Sequence, residues 1–150
     1  MNIVELSRDN IVDAMKMGFG FWTETPVYNK YEWDNDSVYT LFKEAIDDNS
    51  KCGYLAYDDD VICGMILGFL DKLYFSKDIC LYENLLYVIP EKRGSSAAYK
   101  LVKAWEKFGK DNGARDIWAG VSTGIKSDKA KSFYNRLGYE DISYGLRKEF

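Results

Sequence analysis

The residues of this chain best suited to chemistry run from Val88 to Leu101: Val-Ile-Pro-Glu-Lys-Arg-Gly-Ser-Ser-Ala-Ala-Tyr-Lys-Leu. The apolar run Leu85, Leu86, Tyr87 and Val88 reads as a strand and is stopped at Pro90. The small residues Gly94-Ser95-Ser96-Ala97 then lead directly into an amphipathic helix. A strand-to-helix junction of this kind leaves backbone N–H groups without intrahelical acceptors, and small side chains keep the approach to them open. Those donors and the positive end of the helix dipole converge on one spot, which suits a phosphate. Arg93 places a cation at its edge. The same residues, taken alone, are equally compatible with a plain tight turn and a serine cap.

Composition narrows the chemistry. The chain has no histidine, which removes Ser-His-Asp and Cys-His nucleophilic catalysis and His-ligated zinc. Any proton transfer must use a carboxylate, tyrosine, cysteine, lysine or water. Neither GxxxxGK[ST] nor GxGxxG occurs; Gly18-Phe19-Gly20 lacks the third glycine. Cys52, Cys63 and Cys80 are odd in number, lie in apolar runs and form no CxxC, so they read as buried free thiols, with Cys80 a minor candidate nucleophile. A net charge of −4 argues against a nucleic-acid surface and favours a cationic partner. No apolar run reaches the roughly 18 residues a membrane helix needs, and Met1 to Glu5 lacks the features of a signal peptide, so no membrane association and a cytoplasmic location are expected.

A chain of 150 residues suffices for one domain burying about 70% of its unfolded surface, and its elements must position this turn. Asn2 to Leu6 is a first strand, and Ser7 caps a helix with Ile11, Met15, Gly18 and Phe19 on its apolar side. Thr23 to Asn35 reads as a loop and Ser37 to Asp48 as a second helix. Cys52–Tyr57 and Val61–Leu70 form a hairpin across Asp58-Asp59-Asp60, and Ile79–Ile89 is a buried strand interrupted by Glu83 and Asn84. The helix after the small-residue turn carries Ala98, Leu101, Val102, Trp105 and Phe108 on one face and ends at Asn112-Gly113. Asp116–Val121 is a strand, Ser127-Asp128 caps a short helix with Ala130, Phe133, Tyr134 and Leu137 inward, and Tyr139–Lys148 closes the chain as one or two strands. The expectation is a single α/β domain over residues 1–150 with a mixed sheet.

Two motifs in this order carry a resemblance. Val88-x-Pro90-Glu91-x-Arg93-Gly94 is followed later by Ser127-Asp128-Lys129-Ala130-x-x-Phe133-Tyr134-x-x-Leu137-Gly138-Tyr139. Together they resemble the signatures of the GCN5-related N-acetyltransferase (GNAT) superfamily, a strand ending in V-x-P, a turn [RQ]-x-x-G-x-[GA] and a late N-x-x-A-x-x-F-Y-x-x-x-G-F. Ser96 stands at the central glycine of the turn and Ser127 at the late asparagine. The element order matches over essentially the whole chain. The resemblance implies the acyl-CoA N-acyltransferase fold, with a mostly antiparallel twisted sheet and flanking helices.

It also implies acetyl-CoA as the phosphorylated ligand and cosubstrate, with no metal. Its pyrophosphate would meet backbone N–H groups of Arg93, Gly94, Ser95, Ser96, Ala97 and Ala98, with Ser127 also on the CoA side. Its pantetheine arm would pair with backbone near Leu86 and Val88 in a splay between two parallel strands. Because a Cβ restricts positive φ, Ser96 is expected to weaken or re-angle that binding. Transfer in this superfamily is usually direct, and Tyr134 falls on the position that often serves as the acid for the departing thiolate. Glu83 is the base candidate, since a carboxylate in an apolar strand is costly unless paired, hydrated or used; water is the alternative. Strand alternation turns only one of Glu83 and Asn84 to the cleft, and a bulge would change which.

Trp22, Tyr28 and Tyr31, with Phe19, Phe21 and Trp33, are expected to form the acceptor pocket, beside the acidic Glu24, Glu32, Asp34 and Asp36. Such a wall suits an ammonium group through cation–π contact. The partner is then an amine-bearing small molecule or protein, and a homodimer is compatible with the resemblance. Two other classes stay open: a catalytically weak or inactive CoA-binding regulatory protein, and a partner-binding protein using the acidic, aromatic N-terminal half.

Overall fold

A computed structural model describes residues 1–150. Its elements are β1 (Asn2–Glu5), α1 (Ile11–Glu24), α2 (Asn35–Asp47), β2 (Lys51–Asp58), β3 (Val61–Lys72), β4 (Ile79–Val88), a 3-10 turn at Pro90–Lys92, α3 (Ala97–Asp111), β5 (Asp116–Trp118) and α4 (Ser127–Arg136). The five strands lie in sequence order in one sheet. β1 to β4 pair antiparallel, and β4 and β5 pair parallel through α3.

Each sheet face carries its own core. On one, α3 lays down Ala97, Leu101, Val102 and Trp105 at helical spacing against Cys52, Ala56, Cys63, Ile66 and Leu81, and α4 adds Tyr134. On the other, α1 and α2 bring Ile11, Ala14, Met17 and Phe42 onto Leu55, Met65, Leu67 and Tyr87. β3 is buried on both faces from Cys63 to Gly68, because helices cover both sides of the sheet. The three cysteines are buried and unpaired; burial pushes the Cys52 thiol up to about 12, so it is inert.

The ends of several elements differ from the sequence reading. Asn10, not Ser7, precedes α1, and its side chain turns back rather than bonding a helix N–H: the Ser7 N–H donates to Asn10 Oδ1 at 2.8 Å and Asn10 Nδ2 donates to the Glu5 carbonyl at 2.9 Å, so Asn10 fixes the β1-to-α1 corner. α2 starts two residues early because Asp34 caps it, accepting from the Ser37 N–H at 3.3 Å. Ser127 opens α4, with Lys126 in the left-handed region before it. The largest correction is at the end of the chain. β5 stops at Trp118, and residues after α4 form no strand. Ile142, Tyr144 and Leu146 alternate as strand residues do, yet all are exposed. A strand needs a neighbour for its backbone groups, and the three-residue β5 offers no such ladder. Arg147 Nη1 donating to the Val27 carbonyl at 3.3 Å and the Lys30–Glu149 ion pair hold this segment against the α1–α2 loop.

Candidate active site

The register of β3 on β4 builds the centre of the site. Leu67 pairs with Leu85 and Gly68 with Glu83, so Asn84 is an extra residue on β4. A bulge of this kind breaks the period-two alternation and kinks the strand. Both Glu83 and Asn84 therefore line the same cavity of about 210 Å³, contrary to the expectation that only one faces the cleft. Gly68 makes the bulge possible from the other side: a Cβ there would lie 2.2 Å from Trp105 Nε1 and 2.8 Å from the Tyr82 carbonyl oxygen. The cavity opens where β5 ends. β5 accompanies β4 only from Cys80 to Tyr82, and beyond that point Glu83–Leu86 and Gly120–Thr123 form opposite walls.

α4 delivers Tyr134 to this cavity. Its ring is buried and packs edge-on against Phe133 and Tyr139, with centroids 5.3 and 5.1 Å away. The Tyr134 hydroxyl donates to Glu83 Oε2. Burial pushes the Glu83 carboxyl up to about 7, against the opposing pull of the Tyr134 hydroxyl and the Gly120 backbone. Burial, followed by the negative charge of Glu83, holds the Tyr134 phenol well above the ordinary tyrosine range. The pair thus joins a carboxyl that exchanges a proton near neutrality with a phenol that keeps its own.

The small-residue turn sits at the end of the same strand. Gly94 has φ +86, where a side chain is strained, and nothing approaches within 4 Å of its missing Cβ. Ser96 has φ −75 and ψ 0, an ordinary right-handed conformation. The strain expected from a serine at that position does not arise, because Gly94 makes the left-handed step. The N–H groups of Gly94, Ser96, Ala98 and Tyr99 make no backbone hydrogen bond, while that of Ala97 donates to Ser95 Oγ at 3.3 Å. Arg93 is not directed at the turn. Its Nε donates to the Val88 carbonyl at 3.0 Å, and its guanidinium lies 2.5 Å from Glu24 Oε1 and 5.9 Å from the Tyr87 ring centroid. The Tyr87 hydroxyl donates to the same Glu24 at 3.1 Å. Glu24 is held below its ordinary range, first by the Arg93 hydrogen bond. This triad ties the end of α1 to the turn; 69 residues separate Glu24 from Arg93, and no local pattern announces their contact.

A second cavity of about 410 Å³ lies between α1, its following loop and α2. Trp22, Trp33, Glu32 and Asp34 line it, and Phe21, Tyr28 and Leu85 line both cavities. The Tyr28 hydroxyl meets Ser122 Oγ at 2.9 Å, closing the wall between the two arms of the cleft. Of the expected residues, Glu83, Tyr134 and Leu86 meet in the first cavity and Trp22 and Tyr28 in the second. Val88, Tyr31, Ser127 and the turn residues 93–98 line neither. The Val88 carbonyl holds Arg93, the Tyr31 carbonyl accepts from Trp22 Nε1 at 2.9 Å while its ring is exposed, and Ser127 lies exposed in the first turn of α4.

The family model described as "Acetyltransferase (GNAT) family" matches residues 14–139. No curated protein matches the sequence. Among solved structures, the fold superposes with TM-score 0.81 on the aminoglycoside acetyltransferase AAC(6')-Iy bound to a CoA bisubstrate analogue, at 15% identity over 99% of this chain and 97% of that one. It superposes with TM-score 0.77 on the aminoglycoside acetyltransferase HMB0005 from an uncultured soil metagenomic sample, at 16% identity over 99% and 97% of the two chains. A transcriptional regulator from Bacillus halodurans C-125 gives TM-score 0.78 at 19% identity over 99% of each chain. At these identities the neighbours establish the fold, and the family match establishes the kinship. The chain belongs to the GNAT acetyltransferase family, whose acyl donor is acetyl-CoA, and is an N-acetyltransferase.

Proposed function

We propose that the protein transfers the acetyl group of acetyl-CoA directly to the primary amine of a cationic small molecule, with Glu83 as base and Tyr134 as acid. The observation that carries this reading is the Tyr134–Glu83 hydrogen bond inside the cleft. The ammonium first gives one proton to solvent. Its nitrogen then attacks the thioester carbonyl carbon, the C–S bond breaks, and the nitrogen's second proton goes to Glu83, directly or through one water. Tyr134 gives its proton to the departing thiolate, and the proton on Glu83 crosses the existing hydrogen bond to the phenolate. The products are an amide and CoA thiol, and the pair returns to its starting state. Burial suits the base, since a carboxyl near 7 accepts a proton at neutral pH. It keeps Tyr134 protonated and makes it a weak acid, so its proton leaves for the thiolate in concert with the one arriving from Glu83.

The unpaired amides of Gly94, Ser96, Ala98 and Tyr99 support the turn as the pyrophosphate cradle. Leu86, on the wall of the first cavity, lies where the pantetheine arm would pass. Ser96 in a right-handed conformation and the Glu83–Tyr134 pair both favour an active enzyme over an inert CoA binder. The aminoglycoside acetyltransferases among the fold neighbours support a small molecule as acceptor. The test is an acetyl-CoA-dependent screen of primary amines followed by thiol release. Turnover of at least one amine, abolished by Glu83→Gln, is expected. Turnover undiminished in that variant would assign the base elsewhere, and silence across the panel would remove the transferase reading of this site.

A further inference from the structure

We propose that the 410 Å³ cavity selects a primary amine carried on an apolar, aryl-bearing body and discriminates against amines on polyhydroxylated bodies such as amino sugars. This inference rests on the transferase reading, since the cavity is the acceptor site only if the chemistry occurs at Glu83. The two cavities adjoin at Phe21, Tyr28 and Leu85, so a body seated in the larger one can extend its amine toward Glu83.

The polar groups of the wall decide what that body can be. Trp22 Nε1 already donates to the Tyr31 carbonyl at 2.9 Å. The Tyr28 hydroxyl is engaged with Ser122. The Ser37 hydroxyl and N–H both bond to Asp34 Oδ2, where they cap α2. Among the polar atoms of the lining side chains only the Glu32 carboxylate, which makes no ion pair, Asp34 Oδ1 and the Trp33 indole N–H have no bond to another side chain or backbone group of the chain. The rest of the wall is Phe21, Val38, Leu41, Phe42 and Leu85 with the faces of Trp22 and Trp33. A many-hydroxyl body placed here would lose water from its hydroxyls and gain few partners, which penalises it strongly. An aryl body instead meets aromatic surface: the Trp22 and Trp33 centroids are 5.7 Å apart at 50°, and Phe21 and Tyr28 are 5.9 Å apart. Glu32 and Asp34 supply the negative charge that favours an ammonium over a neutral molecule; the hydrogen bonds from Ser37 hold Asp34 below its ordinary range, so it stays ionised.

The experiment compares kcat/KM at saturating acetyl-CoA for tryptamine and phenethylamine against glucosamine and kanamycin, with calorimetric binding of each amine to the CoA-loaded protein. An advantage of at least about tenfold for the aryl amines in kcat/KM is expected, in the range that a few apolar contacts and unpaired hydroxyls produce. Trp33→Leu should raise the KM of tryptamine several-fold with kcat nearly unchanged, and a mere folding defect would instead lower the active fraction for every amine equally. Amino sugars used as well as or better than aryl amines would overturn the proposal and leave the transferase reading standing. If no amine is turned over, tighter binding of the aryl amines still supports the selectivity while the transferase reading fails. Equal binding, or none, overturns the selectivity as well.

Discussion

Glu83 and Tyr134 set the pH behaviour expected of the enzyme. A base must be unprotonated, so the rate should rise with pH through about 7, the value to which burial lifts Glu83. Glu83→Gln should lose that rising limb and lower kcat by about 10²–10⁴ at pH 8, the usual range for a general base. Tyr134→Phe removes a hydrogen bond that favours the charged carboxylate, so the remaining limb should move to higher pH, with kcat falling more than acetyl-CoA affinity. A tyrosine that only packs would leave the limb in place. Glu83 also has a cost in stability with a definite sign. Its folded pKa, about 7, lies above the ordinary 4.5, so between these values the folded state binds more protons than the unfolded one. Stability from this group is therefore lost as pH rises from about 4.5 to 7. Glu83→Gln should be the more stable protein at pH 8, by on the order of 1–3 kcal/mol, and nearly equal to the parent at pH 4.5, as read by urea denaturation.

At the scale of elements, the bulge on β4 and the turn before α3 do the positioning. Gly68→Ala would drive a methyl group into Trp105 and the Tyr82 carbonyl, so it should destabilise by several kcal/mol and take the Glu83–Asn84 arrangement with it. A measured loss under about 1 kcal/mol would mean the bulge tolerates a side chain. In the turn, Gly94→Ala should raise acetyl-CoA KM several-fold with a stability loss of about 1 kcal/mol, because its left-handed conformation penalises a Cβ that touches nothing else. Ser96→Gly should leave acetyl-CoA KM within about twofold of the parent, since Ser96 already sits in a conformation any residue adopts and glycine costs little at a helix N-cap. These two variants separate a residue that matches a motif from a residue the backbone requires. The motif letters make Ser96 look like the weak point of the turn; the dihedral angles place the special conformation at Gly94.

The whole molecule brings donor and acceptor to one cleft from opposite directions. α4, the segment after β5 and the open end of the β4–β5 pair form the first cavity, α1, its following loop and α2 form the second, and the two meet at Phe21, Tyr28 and Leu85. The Glu24–Arg93–Tyr87 triad joins these halves. Binding acetyl-CoA should therefore stabilise the fold as a unit: at about 100 times Kd the gain is about 2.7 kcal/mol, or roughly 5–10 °C in Tm for a chain of this size. A scan with acetyl-CoA, CoA and ATP checks this; equal shifts with all three would reduce the turn to a generic phosphate site. The acidic net charge of −4 predicts that the KM for a cationic amine rises with salt.

The sequence by itself determined the element order as far as α4, the strand-to-helix turn, the buried thiols and the absence of histidine chemistry, because hydrophobic period, small residues and composition are local or global properties of the letters. The strand read into residues 139–148 shows the limit of that logic, since alternation describes what a segment could pair with and not whether a neighbour exists. The contacts that make a site were decided by tertiary structure. One extra residue in the β3–β4 register turned Asn84 as well as Glu83 into the cleft, α4 brought Tyr134 onto a carboxylate 51 residues away, and Glu24 took the cation expected at the phosphate turn. Register and long-range pairing depend on how whole faces pack, and no spacing along the chain records them.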